Sequence, residues 1–151
     1  MIELLISFTI FTTYILVVYK KFGILKSVSD SYYHIKRKAV FTLVLWSFAI
    51  PVSIAASSPI MFFAVAGICF VGAAPAFKGW ETESRVHVVG ATSGIVLGLV
   101  SLWVELGLWY LPCIYAAGFL AIVLLKVKHR TWWIEIMAFY VILIGILIDK
   151  L

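Results

Sequence analysis

The chain has 151 residues, 64% hydrophobic and 13% charged, with a formal net charge of +5 and a mean hydropathy of +1.13. So little polar surface excludes a soluble globular domain of this length. Apolar runs of about 20 residues recur without the apolar–polar alternation of a membrane barrel, so the expected fold is all-α: one integral membrane domain over 1–151, a polytopic six-transmembrane-helix bundle.

The first span covers about 2–19. It begins Met1-Ile2-Glu3, without the basic amino-terminal region or cleavage site of a secretory signal, and is read as a retained helix. Next comes "SVSDSYYHIKRK", Ser27 to Lys38, the most polar run in the chain. Asp30 and His34 are four apart and would share a helix face. Ser29 or Asp30 suits an N-cap leading into the second span. Lys36, Arg37 and Lys38 form a basic collar whose stems can lie along apolar surface. The second span, about 39–56, contains Pro51, which lacks a backbone donor and is expected to kink it.

Ser57-Ser58-Pro59 then breaks the chain, because proline starts a helix but does not continue one. The third span, about 59–77, carries small residues including Ala64, Gly67 and Gly72. "WETESRVH" brings Glu81, Glu83, Arg85 and His87 to the mouth of the fourth span, about 86–106. Gly90, Gly94 and Gly98 recur there at spacing four. Lipid gives no hydrophobic reward for helix association, so such a ridge allows close backbone approach, expected here against the third span. Glu105 ends this span between Trp103 and Trp109, an outer-side acid. The fifth span covers about 108–125 and the sixth about 132–148, with Glu135 one turn inside it. Trp80, Trp103, Trp109, Trp132 and Trp133 fall where an aromatic belt would anchor the bundle. Cys69 and Cys113 lie in apolar stretches and are read as small buried hydrophobes.

Eleven of the twelve Lys and Arg residues fall in the connections after spans one, three and five; only Lys150 lies opposite. The positive-inside rule makes those connections cytoplasmic and the chain N-out and C-out, in a plasma or bacterial inner membrane. The charge is then accounted for by orientation and by anionic lipid headgroups, and no nucleic acid is expected.

Asp30, His34, Glu83, Arg85, His87 and Glu135 gather at the cytoplasmic mouth as a candidate ligand or polar cluster. An acid as deep as Glu135 needs company, expected from Arg85, His87, Lys38 or Arg130. Imidazole and carboxylate suit zinc, but no spacing is diagnostic, so no metal and no cofactor is assigned. Ser27, Asp30 and His87 are similar to the serine, aspartate and histidine set of membrane hydrolases of the alkaline-ceramidase and adiponectin-receptor type. The chain lacks their histidine pair at spacing four and is a helix short, so membership does not follow.

The function expected is non-enzymatic: binding of lipid or a small ligand, or service as a membrane subunit of a larger complex, with protein partners or a homo-oligomer compatible with it. One alternative is a small transporter or channel using Glu105 and Glu135. The other is a membrane-embedded lipid hydrolase using Asp30, His34 and His87. The expectation at the mouth is a polar lid made jointly by the two inner loops.

Overall fold

The computed structural model describes residues 1–74 and 80–151, without the side chains of Trp80 and Thr82. Its helices are α1 Ile2–Phe22, α2 Ser31–His34, α3 Lys38–Ala56, α4 Pro59–Ala73, α5 Trp80–Val104, α6 Tyr110–Leu124 and α7 Arg130–Asp149, and the described residues contain no strand. The all-α expectation therefore holds. The expected end of the third span at 77, and Lys78 beyond it, lie outside the described residues.

Four helical stretches are long and apolar enough to cross a membrane: α1, α3, Glu83–Val104 of α5, and α7. The helices α4 and α6 are apolar but have 15 residues each, about 22 Å of rise against a hydrocarbon layer of ~30 Å. Length alone thus supports four crossings of the six expected. Large apolar side chains face outward on every long helix, Leu5, Leu43, Phe62, Val96, Leu120 and Ile144 among them. A water-soluble fold avoids such a surface, and a lipid-facing one requires it.

Local chemistry sets the helix ends. Helix α1 runs past the expected residue 19, because Lys20 and Lys21 continue its last turn before Gly23 turns the chain at φ 74°. Cations at a helix C-terminus complement its dipole, so hydropathy falls before the helix does. Ser57 adopts a left-handed conformation after α3. Ser58 then caps α4, accepting the Met61 N–H with Pro59 at the first helical position. Pro51 sits inside α3 without ending it.

The most extensive helix pairing is α4 against α5. A Cβ on Gly67 would lie 2.8 Å from the Gly90 carbonyl and 2.9 Å from the Gly94 nitrogen, so the two backbones are in direct contact. The glycine ridge is therefore filled from within the chain, and farther along it a Cβ on Gly98 would meet Ile142 of α7. Helix α3 packs on both α1 and α4, and α7 closes against α5 and α6. Phe11, Phe48 and Phe139 tie α1, α3 and α7 together, with ring centroids 4.8 to 5.3 Å apart.

Two expectations about side chains need correction. Trp132 is buried in the core, not anchored at an interface, whereas Trp103, Trp109 and Trp133 are exposed. Cys69 is half-buried and Cys113 is exposed, and both are free thiols. An apolar run does not say which face of a helix meets protein.

Candidate functional site

The loop after α1 does not splay into solvent. Leu25, Val28 and Ser31 are buried, so the segment 24–31 folds back into the end of the bundle as a plug. Three helices hold it. From α7, Glu135 Oε2 accepts the Val28 N–H at 2.6 Å. From α1, the Tyr14 hydroxyl lies 2.5 Å from Ser31 Oγ. From α5, His87 Nε2 lies 3.0 Å from Ser29 Oγ. Inside the plug, Ser27 Oγ accepts the Asp30 N–H and contacts Ser29 Oγ, each at 3.0 Å. The Tyr33 hydroxyl reaches Glu83 at 3.5 Å.

These contacts leave a cavity of about 160 Å³ under the plug, lined by Ser29, Asp30, Tyr32, Tyr33, Glu83 and His87 with apolar walls from Phe41 and Val71. A smaller apolar space of about 30 Å³ shares Ser29, Phe41, Val71 and His87 with it and reaches Glu135 and Phe139. The site is thus polar at the mouth and apolar at depth. Burial and then the nearby Glu83 carboxyl raise the Tyr32 and Tyr33 hydroxyls above the ordinary tyrosine value, which keeps both as proton-bearing donors at neutral pH. Lys38 stays outside the cavity: its ammonium donates to the Tyr32 carbonyl at 2.6 Å and sits 4.4 Å from the Tyr32 ring centroid.

Of the six residues expected to cluster, Asp30, Glu83 and His87 line the cavity and Glu135 lies beneath it. His34 turns away, 3.7 Å from Asp30 and stacked near Phe22. Arg85 pairs with Glu81 at 2.5 Å on an exposed face. The expected side-chain partner for Glu135 is replaced by a backbone amide. A carboxylate at this depth needs a donor, and the inverted loop supplies one without burying a second charge. Among the described residues, no three His, Cys, Asp or Glu side chains converge as metal ligands do. The N-cap expected at Ser29 or Asp30 for the second span falls elsewhere: Asp30 precedes the single turn of α2, and α3 starts after Arg37 with no side-chain cap.

Glu105 occupies a second polar cluster at the opposite end. Its carboxylate accepts from the Ser58 hydroxyl, from Ser101 Oγ at 2.8 Å and from the Ile60 N–H at 3.2 Å. It therefore sits on the N-terminus of α4, where free amides and the helix dipole favour an anion. Sequence reasoning missed Ser58 and Ser101 as its partners. The readable signals were a serine before Pro59 and a serine four residues ahead of Glu105. Comparison with protein-family models, with curated proteins and with solved structures gives no match to this chain.

Proposed function

We propose that this is a multi-pass membrane protein of six crossing helices, N-out and C-out, that binds a small ligand or lipid headgroup bearing a cation at its cytoplasmic mouth. The orientation is supported by the cation distribution in the sequence. That the loop after α1 and the starts of α5 and α7 lie at one end of the bundle is supported by their contacts.

One observation carries the ligand reading. The described cavity lining combines two carboxyl groups, Asp30 and Glu83, with the rings of Tyr32 and Tyr33, and includes no lysine or arginine. Carboxylates and aromatic faces together attract ammonium groups, more strongly where water is scarce. The Lys38 ammonium already lies 4.4 Å from the Tyr32 ring centroid and 5.7 Å from that of Tyr33, so a bound cation would share these rings with it and draw chiefly on Asp30 and Glu83. The test is a thermal-unfolding titration of the purified protein in detergent with choline and with ethanolamine. A ligand that binds only the folded state raises the midpoint with concentration. A saturable rise is expected, absent in the Asp30→Asn/Glu83→Gln protein. No rise, or an equal rise in both proteins, would sink the reading.

A second reading, a lipid hydrolase, draws on the Ser29–His87 contact of 3.0 Å. That distance lies within the reach of a hydroxyl nucleophile and its general base. Release of fatty acid from a fluorogenic ester, abolished in both Ser29→Ala and His87→Ala, would favour it over simple binding.

A further inference from the structure

At the basic end of the bundle a groove of about 530 Å³ runs between α1 and the start of α3, separate from the cavity under the plug. Its trough is apolar, built from Val17, Val18, Val40 and the ring of Phe22. Its rim is cationic, with Lys21 from the last turn of α1 and Lys36 and Arg37 from the approach to α3. His34 joins that rim and is the member with an acidic neighbour, Asp30 at 3.7 Å. Among the described residues, Lys21, Lys36 and Arg37 have no ion-pair partner. Three exposed cations around an apolar trough offer positive charge and apolar surface side by side, the complement of an anionic headgroup and its acyl chain.

We propose that this groove seats one anionic phospholipid, its phosphate held by Lys21, Lys36 and Arg37 and one acyl chain laid along Val17 and Val40. The inference rests on the membrane-spanning reading above and adds to it a specific lipid site. The geometry fits in depth as well as in charge. Tyr14 to Lys21 covers about 10 Å of α1, so the trough descends two turns below the rim, as an acyl chain does below its phosphate. Arg37 supplies a planar fork suited to phosphate oxygens, and the lysines supply point charges beside it. Basic groups at headgroup depth attract anionic lipids in general. The trough is what distinguishes a seat from that diffuse attraction.

The experiment uses the full chain in mild detergent, titrated with phosphatidylglycerol and with diacylglycerol of identical acyl chains, with retained lipid read by native mass spectrometry. Diacylglycerol carries neither a phosphate nor a cationic headgroup that could enter the cavity under the plug. One phosphatidylglycerol should be retained in preference to diacylglycerol. The preference should fall roughly a hundredfold in K21Q/K36Q/R37Q. It should persist in K126Q/K128Q/R130Q, which removes equal charge from exposed positions at the same end of the bundle. Val40→Trp, which fills the trough at an exposed position without altering charge, should also abolish it; an unchanged unfolding midpoint shows that this variant folds. Equal loss in the two triple variants, or retention in Val40→Trp, would mean diffuse attraction and overturn the seat. Displacement of the lipid by inorganic phosphate alone would overturn it too, leaving an ion site without a chain. A protein that stays soluble after detergent removal would sink the membrane reading itself. One that needs detergent and shows no lipid preference overturns only the seat.

Discussion

Gly67→Ala adds one methyl group where α4 meets α5, and its cost can be worked from three distances. The new Cβ would lie 2.7 Å from Ser93 Oγ, 2.8 Å from the Gly90 carbonyl oxygen and 2.9 Å from the Gly94 nitrogen. Ordinary contact begins near 3.4 Å, so the site is short by about 0.5–0.7 Å. Ser93 can turn aside, but the other two atoms are backbone of a helix packed along its length. The helices must therefore part, and a gap of ~0.5 Å already forfeits about a quarter of each contact it opens. Overpacking of this kind costs typically about 1–3 kcal/mol, and a backbone obstacle puts Gly67→Ala in the upper half of that range. Gly98→Ala is the control. Its Cβ meets the tip of Ile142 at 2.5 Å, a shorter distance but to a terminal methyl that rotates away, so it should cost under about 1 kcal/mol. Unfolding of both variants by titration with a denaturing detergent measures the difference. Equal losses, or a larger loss at Gly98, would refute the argument that backbone contact at Gly67 holds α4 to α5.

Three further outcomes are expected. Glu135→Ala strands the Val28 N–H and should destabilise by about 1–3 kcal/mol, whereas Glu135→Gln keeps an acceptor and should lose less; a cysteine at position 28 should become open to labelling only in the alanine variant. Burial pushes the Glu105 carboxyl up, but hydrogen bonds from Ser58, the Ile60 N–H and Ser101 outweigh it and hold the group below its ordinary value of 4.5. Its contribution is then fully present above pH 4.5 and is lost as pH falls through the lowered folded value, so the gap in unfolding midpoint between parent and Glu105→Gln should shrink on acidification below about pH 4.5. With Cys69 and Cys113 replaced, single cysteines at 26 and 128 should resist an impermeant reagent in intact cells while one at 151 reacts; labelling at 26 with none at 151 would reverse the proposed orientation.

The helices were legible because backbone in hydrocarbon must satisfy itself, and long apolar runs announce this directly. The α4–α5 contact was legible for a similar reason, since glycines at spacing four have little other use in a long apolar helix than close approach to another. The plug was not. Ser27 to Lys38 reads as a wet loop by composition, and the buried apolar anchor inside it is Val28, a single apolar residue between two serines. Glu135 was recognisable as a group in need of a partner, but that partner is a peptide N–H, which every non-proline residue carries. Side-chain identity cannot single out one amide from the rest. Glu105 failed differently: its three donors come from two helices, and only Ser101 lies near it in sequence.

The plug also bears on how the protein is made. Val28 and Glu135 are 107 positions apart. At about 5–20 residues per second, translation places the loop in position roughly 5–20 s before its α7 anchor exists. For that interval the loop after α1 has Tyr14 to hold it but neither Glu135 nor, at first, His87. The mouth of the bundle is thus sealed from its far end: the carboxyl-terminal helix completes a contact that the amino-terminal hairpin begins. A nascent chain stalled before α7 would hold its loop by Tyr14 and His87 alone, with the Val28 N–H still without its acceptor.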